Sequence, residues 1–241
     1  MPEQLSSLLP YVLLATGIGF LGSVIALFWQ PQAKARSAIQ HFAAGAVLAA
    51  VASNIVPEVE RIGTLINIVS GFIVGALAMI GLKWIIVRLE RQKNHGQNIP
   101  AGLAAAAAVD TFMDGVIISA GFSVDQQLGT LLVIALGLEL FFLTLSVGIE
   151  FREGHFSPWQ SLLITGGIAC LLSIGALSAS FFLAKASQTT LAGILSFGAA
   201  ALIYLIAEEL LVETIQAEES VFSTLMLFSG FLVLLILKLL G

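Results

Sequence analysis

Apolar residues run along the chain in eight long blocks separated by short polar breaks. The blocks cover about residues 8–29, 38–58, 64–88, 100–122, 127–149, 159–184, 190–214 and 221–240. Each matches the roughly 20 residues that a helix needs to cross a bilayer. The breaks carry the signals that stop and start helices. Gln30-Pro31-Gln32 closes the first block, and Ser37 with Gln40 has the spacing of a capping box for the second. Gln92 to Pro100 reads as a polar loop, Ser123 to Gln127 as a tight turn, and Ser157-Pro158 opens the sixth block. Every connection is too short for a soluble domain. The pattern predicts an all-α integral membrane protein, with residues 1–241 forming one transmembrane domain of eight helices.

Composition closes off the alternatives. Of the 241 residues 58% are apolar and only 10% charged, and the mean hydropathy is +1.02. A soluble protein of this length could not cover its surface with so few charges. A disordered chain has the opposite bias. The net charge of −5 includes no basic patch that would suggest nucleic acid. The expected partner is the lipid bilayer, and a homodimer is a candidate assembly. The lone cysteine, Cys170, cannot form an internal disulfide. Met1-Pro2-Glu3-Gln4 lacks the basic residues of a signal peptide, so the first block is expected to persist as a helix. Lysine and arginine set the orientation. With the amino end outside, Lys34, Arg36, Arg88, Arg91, Lys93 and Arg152 fall inside, with Lys83 near that side. Only Arg61, Lys185 and Lys238 then lie outside, which places both termini outside a plasma (inner) membrane.

The second and seventh blocks look alike. Phe42-Ala43-Ala44-Gly45-Ala46 aligns with Phe197-Gly198-Ala199-Ala200-Ala201. Without gaps, Ser53-Asn54 then falls on Glu208-Glu209, and Glu58 on Glu213. These helices cross in opposite directions, which suggests an inverted repeat, a common plan for transporters that bind at mid-membrane. Val109-Asp110 matches Leu138-Glu139 more weakly.

Three acids stand where charge is expensive. Asp110, Asp114 and Glu139 lie well inside apolar blocks. A carboxylate at the bilayer centre costs about 2.5–3.5 kcal/mol on insertion scales, so three facing lipid would cost on the order of 8 kcal/mol. They are expected to face an interior, with the fourth and fifth helices at the centre of the molecule. Asp110 and Asp114 share a helix face at i, i+4, Thr111 can add a hydroxyl, and Glu139 reaches the same depth on the next, antiparallel helix. No Lys or Arg is expected at that depth, because Lys83 and Arg88 lie nearer the inner surface. Such a group needs protons or a metal cation. The competing account is that the acids are protonated and simply hydrogen-bond helix to helix.

A second acidic set is Glu208, Glu209 and Glu213, with Asn54 and Glu58 as its repeat counterparts. Glu209 and Asn54 lead as further candidates along a path; Glu58 and Glu213 are also where solvated helix ends would fall. His41, His95 and His155 lie away from mid-membrane and read as interfacial or solvated. Gly17-Ile18-Gly19-Phe20-Leu21-Gly22 has the letters of a dinucleotide fingerprint but no preceding strand. It reads as helix-packing glycine, as do Gly71 and Gly75. No catalytic motif points to an enzyme.

Together these motifs resemble the ZIP (Zrt/Irt-like) divalent-metal transporter family over nearly all eight blocks. Phe42 to Glu58 is similar to that family's second helix, and Ala199 to Leu211 to its seventh. Asp110-Thr111-Phe112-Met113-Asp114-Gly115 falls on the fourth-helix motif, and Glu139-Leu140-Phe141-Phe142-Leu143-Thr144 on the fifth. The resemblance implies a 3+2+3 arrangement with an inverted repeat, both termini outside, and a metal path lined by the fourth and fifth helices. Asp110 and Glu139 stand where the family usually has histidine, Thr111 where it has asparagine, and Asp114 keeps the acid. Leu140 and Leu143 lack ligand chemistry, so a second adjacent metal site is not expected. The expectation is a divalent metal cation transporter working by alternating access. Asp110, Asp114, Glu139 and Thr111 form an all-oxygen site. Oxygen ligands favour manganese, magnesium or calcium relative to zinc more than imidazole does, while iron and zinc stay candidates. The rivals are a proton-coupled carrier of a non-metal solute, and a non-transporting sensor or assembly protein on the same fold.

Labelling tests the orientation. In a Cys170→Ser background, Asn94→Cys should react with an impermeant maleimide only from inside and Asp125→Cys only from outside; the reverse pattern would invert the topology.

Overall fold

A computed structural model describes residues 2–29, 32–92, 101–154, 156–183, 185–207 and 221–240. Eight helices are long and apolar enough to cross a membrane, and the described residues include no strand. They are α1 (Pro2–Phe28), α2 (33–62), α3 (Leu65–Gln92), α4 (Ala101–Val124), α5 (Gln126–Glu153), α6 (Pro158–Leu183), α7 (Gln188–Leu205) and α8 (Val221–Leu240). Asp125 starts α5 by accepting hydrogen bonds from the Gln127 and Leu128 N–H groups at 2.8 and 3.1 Å. Ser187 caps α7 through the Thr190 N–H. Pro158 takes the first position of α6, where its missing N–H would have had no helical partner. Ser37 does not cap α2. That helix begins at Ala33, and the buried Ser37 hydroxyl lies 3.1 Å from the Ser223 hydroxyl on α8. What spacing suggests is a cap is an interhelical contact.

Helices in lipid gain little from hydrophobic association, so close van der Waals packing through small residues joins them. Four parallel pairs form here: α1 with α5, α4 with α6, α2 with α8 and α3 with α7. A β-carbon at Gly45 would overlap the main chain of Leu227, and one at Gly230 the Phe42 carbonyl. Gly71 meets Gly193, and Gly75 meets the Phe197 carbonyl. Gly115 and Gly175 bring α4 and α6 onto the carbonyls of Leu172 and Phe112. Gly22 does the same for α1 against Phe141, and there the Thr144 hydroxyl donates to the Gly19 carbonyl at 2.7 Å. The register recurs. Phe42 and Phe197 are 155 positions apart, and so are their partners Gly230 and Gly75. The α1–α5 and α4–α6 pairs pack together into one four-helix unit, and the α2–α8 and α3–α7 pairs pack against that unit and against each other.

The centre is α5, whose spanning window is 72% buried, against 11% for α3 and 17% for α8. Leu65, Ile66, Phe72 and Leu77 of α3 are exposed, as lipid-facing side chains should be. The expectation that α4 shares the centre holds only partly. Its window is 56% buried, equal to that of α7 and below the 61% of α2, because its far face, with Val109, is exposed. If each helix spans the membrane, both termini share one face. Trp29, Trp84 and Trp159 then lie exposed toward the opposite face, with the Arg88 guanidinium 5.0 Å from the centre of the Trp84 ring.

One helix is locally rewound. Ala50–Ile55 of α2 is a π-helix, followed closely by Pro57. Proline has no N–H to return to the carbonyl four residues back, which is that of Ser53. The Lys238 ammonium, from the end of α8, donates to that carbonyl. The described part of α7 also ends in π geometry at Ile206 and Ala207, 155 positions from Val51 and Ala52.

Gly230→Ala should destabilise the protein by about 1–3 kcal/mol, since the added carbon must displace backbone. Gly81→Ala, where a β-carbon meets nothing within 4 Å, should not. Thermal unfolding in detergent compares the two.

Candidate metal centre

Helix geometry places Asp110 and Asp114 one turn apart on α4, and the short turn at Asp125 returns the chain so that Glu139 of α5 lies alongside them. Asp110 is 7% exposed, and Asp114 and Glu139 are 2% exposed each. One oxygen from each carboxylate lies within 4.8 Å of the other two. Two oxygens on opposite sides of a cation stand about 4–5 Å apart when the bonds are about 2.0–2.6 Å. A single ion can therefore touch all three acids. The shell is made entirely of oxygen, with a formal charge of −3 if every acid is ionised.

Thr111 is fully buried beside Asp110, and its hydroxyl has no hydrogen-bond partner. That is unusual for this bundle. Thr130 and Thr165 each donate back to the carbonyl four residues earlier, and Thr144 donates to the Gly19 carbonyl. Thr111 leaves its hydroxyl uncommitted, as a further oxygen ligand requires.

Two cavities border α4 along its seam with α3 and α7. A cavity of about 110 Å³ is lined by Lys83, Asp110 and Tyr204, with Met79, Leu82, Ile86 and Ala106. A larger one, about 590 Å³, includes Asn67, Ser70, Met113, Val116, Thr189 and Phe197. Lys83, expected nearer the inner surface than the acids, is exposed yet lines the same cavity as Asp110. Position along a helix gives the depth of a Cα, whereas a lysine stem carries its ammonium several ångströms from it. Tyr204 was also missed. Its only signal was a polar tip within an apolar stretch.

The second-rank candidates divide. Asn54 lies in the π-turn of α2, 6% exposed, against α5 and α7, and its side-chain nitrogen has no hydrogen-bond partner. Glu58 does not join the carboxylate group. It sits near the end of α2, where the Arg61 Nε donates to its two oxygens at 3.1 and 3.0 Å. Glu208, Glu209 and Glu213 lie outside the described residues, as do His95 and His155. The His41 Nδ1 lies 2.8 Å from the Ser37 carbonyl, a local helix contact. The chain matches no family model, and no curated protein matches it.

Manganese at about a hundred times its Kd should stabilise the purified protein by about 2.7 kcal/mol, read as a rise in Tm. Asp114→Asn and Glu139→Gln should each abolish the rise. Glu58→Gln should retain it, because that carboxylate is held by Arg61.

Proposed function

We propose that this protein is a ZIP-like divalent metal cation transporter that passes the ion through an all-oxygen site by alternating access. The observation that carries the reading is the convergence of Asp110, Asp114 and Glu139, buried on two helices with oxygens within 4.8 Å of one another. Three ionised acids in so apolar a bundle would repel one another strongly, and a bound dication removes most of that cost. The Thr111 hydroxyl is a fourth ligand, and Asn54 lies on the path. Glu208, Glu209 and Glu213 are candidates for its further course. Manganese, magnesium, calcium, iron and zinc are the candidate ions, with the oxygen shell favouring the harder ones.

The inverted repeat belongs to the same proposal. Repeat-related helices should make repeat-related contacts, and the Phe42–Gly230 and Phe197–Gly75 contacts meet that requirement at one constant offset. The four-helix unit of α1, α4, α5 and α6 and the helices flanking it supply bodies that could move against each other, and the cavity reaching Asp110 lies where α3 and α7 meet α4. The acids belong to the group containing α4 and α5, so such movement would carry them relative to α3 and α7.

Proteoliposome flux tests the reading. Wild type should move manganese or another divalent ion, and Asp114→Ala should lower flux at least about tenfold by removing one of the few ligands. Asp110→His with Glu139→His should shift the ranking toward zinc, since imidazole suits zinc better than it suits harder ions. Proton flux without any metal dependence would favour the rival proton-linked carrier.

A further inference from the structure

The metal reading uses Asp110 but leaves Lys83 unexplained. Lys83 lies on α3, outside the four-helix group that holds the acids. It nonetheless lines the same 110 Å³ cavity as Asp110, whose remaining lining, apart from Tyr204, consists of Met79, Leu82, Ile86 and Ala106. Lys83 is exposed, so water screens part of its charge, but the apolar walls it shares with Asp110 leave the two residues facing one cavity.

We propose that Lys83 is a tethered cation that opposes the transported metal at Asp110 and so promotes its release into this cavity. The inference rests on the transport reading above. Its sign follows from charge. The empty site carries a formal charge of −3, or −2 with one proton bound, whereas the site filled by a dication carries −1. A fixed positive charge at the same distance favours the more negative state. Lys83 therefore stabilises the empty site more than the filled one, which weakens binding and speeds departure. Because α3 lies outside the unit that holds the acids, the influence of Lys83 would also change if that unit moved against α3. A site exposed to this cavity meets the ammonium, and a site carried away from it does not.

The counterpart of Lys83 in the repeat makes the position notable. Lys83 and Lys238 are 155 positions apart, the same offset that relates Phe42 to Phe197. Lys238 donates to the Ser53 carbonyl in the π-turn of α2, whereas Lys83 lines a cavity with an acid of the site. A stem of the same length at the same register can thus reach a site-lining position.

Full-length protein in detergent would be titrated with manganese by calorimetry as wild type, Lys83→Met, Lys83→Arg and Asp110→Asn. Lys83→Met should bind about two- to fivefold more tightly, and Lys83→Arg should stay near wild type because the charge is kept. In proteoliposomes at saturating manganese, Lys83→Met should turn over more slowly, since release is impeded. Lys83→Gln repeats the measurement if the methionine variant does not fold. Unchanged or weaker binding in both neutral variants, with Asp110→Asn losing manganese, overturns the role of Lys83 and leaves the metal site standing. If wild type binds no manganese, or Asp110→Asn binds it normally, the metal site itself falls and this inference falls with it.

Discussion

A carboxylate cannot be left against hydrocarbon, and this chain carries three of them deep in its apolar blocks. That constraint organises the rest. Asp110, Asp114 and Glu139 must turn inward, so α4 and α5 have to be neighbours with their acid-bearing faces together. The single-residue turn at Asp125, whose side chain caps α5, leaves them little other choice. Once the acids are enclosed, other helices must cover them, and α5 becomes the most buried helix of the eight. Enclosing the acids removes the cost of facing lipid but leaves their mutual repulsion, which only protons or a cation relieve. The fold answers the first problem and poses the second.

Covering polar groups in a membrane requires backbones to come close. Glycine makes that approach available at Gly45 and Gly230, Gly71 and Gly75, and Gly115 and Gly175, where a single added carbon would meet main chain. These contacts join helices in parallel pairs that are not consecutive in the chain. Chain order reflects the proposed duplication, whereas packing reflects which small-residue faces complement each other. The acids fall within the unit formed by α1, α4, α5 and α6, and the lysine-bearing α3 packs against α4 of that unit.

The π-turn in α2 shows how a broken helix is tolerated in such surroundings. Pro57 withdraws a donor, the local winding changes, and an ammonium from α8 answers the Ser53 carbonyl. Irregular backbone at membrane depth survives only where protein supplies the missing bonds. Asn54 is buried in that turn, so the same irregularity brings an amide against the helix that carries Glu139.

Eight helices, their approximate bounds and the inward-facing acids follow from the sequence alone. Long apolar runs have no alternative in water, and the i, i+4 spacing of Asp110 and Asp114 is intrinsic to a helix. The glycine-packing role of Gly71 and Gly75 was legible for a similar reason, since their spacing puts both on one face. Other features were decided only by tertiary structure. Ser37 reads as a cap but bonds across to α8, Glu58 reads as either a path candidate or a solvated helix end and is held by Arg61, and Lys83 reads as too shallow yet lines the cavity of Asp110. In each case the outcome depends on a side chain's reach to a partner on another turn or another helix. Sequence spacing sets the direction in which a residue leaves its own helix, but what it meets there depends on how the helices are tilted and paired.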